Sequence, residues 1–431
     1  MTQDWSVGNL ALVVGGGPAP GINGVINSVT IAAINGGKKV LGVQDGFQML
    51  VRGDTSRVRN LEIDDVKSIH LRGGSILGTS RVNPAKSEAD MQKVLTCFRE
   101  LGVNMLVTIG GDDTAFSASQ VYARAGGAIR VAHVPKTIDN DLPLPQGVPT
   151  FGFETARHFG ASIVRNIMED ARTTSRWYLI VSMGRAAGHL ALGIGMAAAA
   201  TITVIPEEFK DEQLSLNHLC DILLGSIIKR LANKRPYGVA VLAEGLLETI
   251  GEKGFFEVMD DASLGKYGKV QRDPHGHLRL GEIEFGRIIK DHLTLKLEEL
   301  GLKVPVIDKD LGYELRCADP IPFDAEYTRA LGYGAVKFLQ SSDSTRYGAV
   351  MSLVGGRLIS QPFNEIMNPQ TQRMLPRKVD VDGETYECAR HYMIRLLRSD
   401  LESTEKLAKL AGIVNMSPDQ FVKRFGYLVG L

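Results

Sequence analysis

The hydrophobic positions of this chain fall into short runs that alternate with longer, periodic stretches. Leu10–Val14 is an unbroken apolar run that stops at Gly15-Gly16-Gly17. Ile22–Ile34 follows with apolar residues at helical spacing, closed by Asn35-Gly36-Gly37. A short apolar run bounded by glycines predicts a buried strand, and a 3.6-residue period predicts a helix. The pair of signals recurs along the chain. Lys39–Val43, Met105–Ile109, Val131–Val134, Trp177–Val181 and Tyr237–Leu242 are predicted strands, and Thr114–Ala125, Thr155–Glu169 and Gly188–Ala198 are predicted helices. The weakly polar run Leu190–Ile205 is too short to span a bilayer and predicts a buried helix running into a buried strand. Strand, polar glycine-rich loop, helix, in repetition, predicts an α/β protein with parallel sheets.

In such sheets ligands bind beyond the carboxyl ends of the strands. Those ends carry nearly all the clustered Gly, Asp, Lys and Arg of this chain, which predicts an enzyme. A break near Pro143–Pro149 is expected to separate two lobes, and 431 residues allow two or three domains. Residues 251–281 are charged, glycine-rich and poorly periodic, as an inserted loop or hairpin would be. Within them His275-Gly276-His277 is a metal pair or a solvated turn. The tail after Met367 reads as helical and charged.

Composition narrows the classes. Hydrophobic residues at 44% and charged residues at 23% exclude a disordered chain. Lys plus Arg number 49 and Asp plus Glu 49, a balance that argues against a general nucleic-acid binder or a membrane-surface protein. Cys97, Cys220, Cys317 and Cys388 show no CxxC spacing and read as free thiols of a reducing cytosol. The first ten residues lack a basic, then apolar, leader, so a cytoplasmic location is expected.

Four loops carry candidate chemistry. Gly15-Gly16-Gly17-Pro18-Ala19-Pro20-Gly21 joins a strand to a helix N-terminus, where bare N–H groups and the helix dipole favour an anion. It matches neither GxGxxG nor a Walker A loop, and a purely structural turn is its alternative. Gly110-Gly111-Asp112-Asp113 places two carboxylates at a strand end, either to cap a helix or to hold a magnesium ion serving a phosphate. Pro135-Lys136-Thr137-Ile138-Asp139-Asn140-Asp141 is a solvated turn, or else a base with a lysine that balances phosphoryl charge. In Met183-Gly184-Arg185-Ala186-Ala187-Gly188-His189 the arginine is a surface residue or a phosphate ligand.

Taken in this order, the four loops, with Glu244 and Gly312-Tyr313-Glu314-Leu315-Arg316, resemble the phosphofructokinase family over roughly residues 8–360. The resemblance implies two doubly wound parallel-sheet α/β lobes with the active site in the cleft between them. It implies residues 1–150 as the donor and magnesium lobe, with part of 315–370 returning to it. Residues 151–314 become the sugar-phosphate lobe and 371–431 a C-terminal helical extension. The implied reaction is phosphoryl transfer to the 1-hydroxyl of fructose 6-phosphate, with Mg²⁺ as cofactor and a homodimer or homotetramer as the assembly.

Family roles carry over to matching residues. Gly16 resembles the loop N–H that meets the donor's phosphate, Arg81 a donor-side arginine, Asp112 the magnesium carboxylate and Asp139 the general base. Thr137, Ile138 and Asp139 resemble sugar-phosphate contacts, as do Met183, Gly184, Arg185, Glu244, Tyr313, Glu314, Leu315 and Arg316. Arg176 resembles an arginine that some members lend to a neighbouring subunit's site.

Two positions bear on the donor. ATP-using members typically carry Gly where this chain has Asp113, and often Gly where it has Lys136. A carboxylate at 113 would face the α-phosphate of ATP, and like charges there cost several kcal/mol, on the order expected at partly desolvated sites. Pyrophosphate has no α-phosphate, and Lys136 would balance its charge. The chain departs from the family at Ile307, where allosteric members carry Arg, and at Tyr313, where many carry His. No effector-site arginine set is evident, so nucleotide-regulated allostery is not expected. Competing readings are an ATP-dependent kinase of the same family and a non-catalytic sugar-phosphate-binding regulatory protein.

Overall fold

The computed structural model describes residues 8–145, 147–210, 213–268, 283–368, 370–371 and 373–431. The strands, in chain order, are β1 (Asn9–Val14), β2 (Lys39–Val43), β3 (Val58–Leu61), β4 (Val103–Gly110), β5 (Arg130–Pro135), β6 (Trp177–Ser182), β7 (Ile202–Val204), β8 (Gly238–Ala243), β9 (Val306–Leu311), β10 (Ala349–Val354) and β11 (Arg357–Pro362). The chain divides into two compact units. One holds the residues up to Ala156 with Tyr313–Arg377, and the other Arg157–Gly312 with Lys378–Leu431.

The first unit is built on a seven-stranded sheet of order β11-β10-β5-β4-β1-β2-β3. Its five central strands are parallel, and β3 and β11 are antiparallel edges. The apolar runs predict the central strands because both faces of those strands are covered. Leu10 to Val14 are fully buried, as are Leu106, Val107 and Ile109. The edges have no such run, since β3 is largely exposed and β11 alternates. From β1 the chain steps to β2 on one side, then to β4 on the other, so the loops after β1 and β4 flank a topological switch point. Helix Ile22–Asn35, which follows β1, crosses helix Pro322–Gln340 closely. A Cβ on Gly332 would lie 2.9 Å from the Val25 carbonyl. The Pro143–Pro149 stretch belongs to this unit, and Leu142, Leu144, Val148 and Phe151 are buried in its core.

The second unit has a four-stranded, wholly parallel sheet of order β7-β8-β6-β9. Here the switch point lies between β6 and β9, and the Met183 N–H donates to the Leu311 carbonyl at 3.0 Å across it. The run Leu190–Ile205 forms helix His189–Ala198 and then β7, as the pattern predicts. Where it is described, the 251–281 region begins as helix: helix Leu246–Phe256 runs into it across a break at Gly251 (φ 60°), and a short helix covers Asp261–Leu264. Phe255, fully buried in the second core, holds the helix past the break. Further on, Gly268 bridges antiparallel to Ile283, the pairing expected at the base of a hairpin. His275 and His277 lie outside the described residues. In the C-terminal segment Leu396, Leu401, Leu410, Phe421 and Phe425 are buried in this same core.

Candidate functional site

In the first unit, four chemistry-bearing segments meet at the carboxyl ends of β1, β4 and β5. The loop after β1 turns at Gly16 (φ 81°) and enters its helix at Gly21 (φ 99°), conformations that side chains other than glycine rarely adopt. The Gly16 N–H donates to the Ser80 carbonyl at 2.8 Å, and the Thr79 hydroxyl donates to the Gly16 carbonyl at 2.7 Å. Arg81, exposed, leaves this same segment. Lys136, at the end of β5, reaches across and donates to the Gly17 carbonyl. A Cβ on Gly16 would stand 3.5 Å from Lys136 Nζ, and one on Gly17 would stand 3.6 Å from Arg316 Cζ. The glycine loop is therefore lined by two cations.

Lys136 is 5% exposed. Burial pushes its pKa down to about 8; Asp139 and Asp141 raise it, and Arg316 and Arg81 lower it further. The cation is thus retained at neutral pH by nearby carboxylates. A solvated turn does not describe such a residue.

The loop after β4 opens helix Asp112–Arg124. The cap position is Gly111, with no side-chain cap, and both Asp112 and Asp113 lie in the first turn, where the dipole favours negative charge. Both carboxylates are engaged by a segment far along the chain. Arg373 Nη1 donates to Asp112 Oδ2 at 3.1 Å and to Asp113 Oδ1, and the Met374 N–H donates to Asp112 Oδ1 at 2.8 Å. Asp113 does not stand as a bare carboxylate: its side chain is 70% exposed and ion-paired.

The Thr137–Asp141 turn is held in shape from several sides. The Asp139 N–H donates to Thr137 Oγ1 at 3.0 Å, and Asn140 takes φ 55°. Thr150 donates its hydroxyl to the Thr137 carbonyl at 2.8 Å and its N–H to Asn140 Oδ1 at 3.0 Å. Arg377 donates to the Asn140 and Val148 carbonyls, and its own N–H to the Asp141 carbonyl at 2.7 Å. Burial pushes the Asp141 carboxyl up and the Asp112 charge adds to that, against hydrogen bonds from the backbone and Thr137. Arg316 lies over the Tyr313 ring at 4.9 Å, and Tyr313 is 78% exposed. Glu314 is exposed, whereas the side chains of Leu315 and Ile138 are buried.

In the second unit, the loop after β6 turns at Gly184 (φ 123°) and carries exposed Arg185. Arg185 Nε lies 3.9 Å from Glu244 Oε1, and the Glu244 N–H donates to the Ser182 carbonyl at 2.9 Å. Gly312 leaves space that Met183 fills. Met183, Gly184, Arg185 and Glu244 are thereby brought together. Arg176 is not among them: it precedes Trp177, at the opposite end of β6.

The sequence gives no local signal for Arg373 or Arg377. They lie in a stretch read as a charged, helical tail, and Met367–Arg377 is held by tertiary contacts instead. No cluster of three or more His, Cys, Asp or Glu that could hold a metal alone occurs among the described residues. A magnesium ion carried by phosphates needs only one or two protein carboxylates, and the half-buried Asp112 fits that demand. No helix among the described residues is long and apolar enough to cross a membrane.

Residues 9–339 match the phosphofructokinase family. A pyrophosphate–fructose 6-phosphate 1-phosphotransferase of Thermotoga maritima is 53% identical, over 98% of this chain and 99% of its own. A protein of the same name from Naegleria fowleri is 48% identical, over 98% and 96%. The solved structure of a pyrophosphate-dependent phosphofructokinase from Nitrosospira multiformis superposes with a TM-score of 0.66 at 17% identity, covering 95% of this chain and 92% of that one, a likeness of fold.

Proposed function

The chain belongs to the phosphofructokinase family, and from that premise we propose that it is a pyrophosphate-dependent 6-phosphofructokinase. It moves a phosphoryl group reversibly from pyrophosphate to the 1-hydroxyl of fructose 6-phosphate, giving fructose 1,6-bisphosphate and phosphate. The observation that carries this reading is Lys136, a buried cation set against the Gly16–Gly17 loop beside Arg316. A short, highly charged donor suits such a cradle.

The Gly16 N–H is taken by the Ser80 carbonyl, so the donor is bound by the rest of this loop, by Arg81 and by Lys136. Asp139 takes the proton of the 1-hydroxyl as its oxygen attacks phosphorus. The bond to the departing phosphate breaks, and Lys136 meets the charge that gathers there. Asp112 would hold Mg²⁺, which when bound supplies positive charge to the phosphate oxygens. Thr137, Tyr313, Glu314 and Arg316 are read as sugar-phosphate contacts, and so, within the second unit, are Met183, Gly184, Arg185 and Glu244. Ile138 and Leu315, with buried side chains, offer backbone only. Arg176, remote from that second set, is read as a contact lent to another copy in a homodimer or homotetramer. A cytoplasmic setting and the absence of nucleotide-regulated allostery complete the reading.

Initial rates test it. With fructose 6-phosphate and Mg²⁺, pyrophosphate should support turnover and ATP should not. In reverse, fructose 1,6-bisphosphate should be consumed only when phosphate is added. Turnover with ATP alone would sink the reading.

A further inference from the structure

The Arg373 guanidinium sits against both carboxylates at the head of helix Asp112–Arg124. Nothing in the carried-over roles uses it. Its backbone is fixed at two places. Met374, 5% exposed, is anchored in the first core and bridges antiparallel to Met367, and Arg377 clamps the Asn140 turn. The segment is therefore held without the Arg373 side chain. The guanidinium uses Nη1 for both carboxylates, and Nε and Nη2 make no hydrogen bond among the described residues. The side chain is 43% exposed, with the Phe116 ring 5.5 Å from Cζ. Asp113 and Asp112 hold it firmly protonated.

A pyrophosphate carrying three or four negative charges must settle beside these two aspartates. Like charges at such distances repel by several kcal/mol, on the order set by a partly desolvated site, unless a cation lies between. A guanidinium with one edge on carboxylates and its other N–H groups unused has the geometry to do that, since its fork suits bidentate phosphate contact. We propose that Arg373 is a donor-binding residue that sets donor choice: it binds pyrophosphate oxygens through Nε and Nη2 while pairing with Asp113. This rests on the proposed pyrophosphate reaction. Asp113 is then less a repelling charge than the anchor of the arginine that receives a short donor.

The test uses the full chain and the variants Arg373→Ala, Arg373→Lys and Arg373→Gln. Arg373→Ala should raise KM for pyrophosphate, and for phosphate in reverse, about 10- to 100-fold, the loss expected for a charged hydrogen-bond pair. KM for fructose 6-phosphate should stay within about twofold, because the sugar is bound elsewhere. Arg373→Lys should fall between, and added guanidinium at millimolar levels should partly restore the Ala variant. Calorimetry with imidodiphosphate, an unreactive pyrophosphate analogue, should show the same weakening. A folded Arg373→Ala or Arg373→Gln with wild-type KM for pyrophosphate, or with both substrates weakened equally, overturns the proposal. If the wild type fails to turn over pyrophosphate, the functional reading falls. Imidodiphosphate then still decides on Arg373: binding lost in the variants supports it, while no binding to wild type, or equal binding to all, overturns it.

Discussion

A lysine at 5% exposure stays cationic only with anions near it, and Lys136 has Asp139 and Asp141. Its pKa of about 8 against 10.5 in the open chain means that between those values the unfolded state binds more protons. Stability should therefore rise with pH across that window, by roughly 3 kcal/mol for this group. Urea unfolding at pH 7.5 and 9.5 should show the rise in wild type and its loss in Lys136→Met; equal slopes would refute it. Over the same range kcat/KM for pyrophosphate should fall above about pH 8, as the charge proposed to meet the donor disappears. Asp139→Asn keeps the shape of the proposed base and removes its capacity to take a proton. Its kcat should fall about 10²- to 10⁴-fold with KM for fructose 6-phosphate little moved, and near-normal turnover would remove Asp139 from that role. At this scale much was legible, because Asp112, Asp113, Lys136 and Asp139 all lie just past the ends of strands β4 and β5. Arg373 was not. It meets Asp112 across 261 positions, and no periodicity marks such a contact.

Among the elements, buried central strands and the helices after them could be read from apolar runs, for burial on both faces leaves no polar alternation. The edge strands β3 and β11 could not, since sheet pairing rather than burial defines them. The helix past Gly251 was hidden because one glycine breaks the period that Phe255 restores by packing. A different device holds the Gly152–Thr155 segment, at the start of helix Phe153–Thr174. Asp324, fully buried, accepts from the Gly152 N–H at 2.9 Å, the Thr155 N–H at 2.8 Å and the Thr155 hydroxyl at 2.6 Å. Asp324→Ala would strand those donors and should cost about 3 kcal/mol or more, since orphaned buried groups lose their full desolvation. Because Thr150, just ahead of that segment, supports the Thr137 carbonyl, catalysis should weaken with it. A change in the denaturation midpoint below experimental error would contradict this account.

Over the whole molecule, the C-terminal segment belongs to the second core through one buried carboxylate as well as through its apolar side chains. Asp221, 2% exposed, accepts from Lys296 at 3.0 Å, from Arg424 at 2.7 and 3.0 Å and from Tyr427 at 2.7 Å. Burial alone would push its pKa up; these hydrogen bonds outweigh it and hold the carboxyl below its ordinary range. That stability is present above the unfolded pKa and is lost as pH falls through the folded value. Arg424→Ala, which leaves part of this network unpaired, should destabilise the protein by about 2–4 kcal/mol, read by thermal unfolding. Neither composition nor spacing discloses the pairing, which joins positions 203 residues apart. The central claim, that this chain uses pyrophosphate because of what stands at 113 and 136, is tested most directly by one measurement. It is the ratio of kcat/KM for pyrophosphate to that for ATP in wild type, Asp113→Gly, Lys136→Gly and the double variant. The ratio should be large in wild type and fall by several orders of magnitude in the double variant, as the anchor of Arg373 and the cation of the cradle are removed together. ATP unused in all four, with pyrophosphate turnover unchanged, would contradict it.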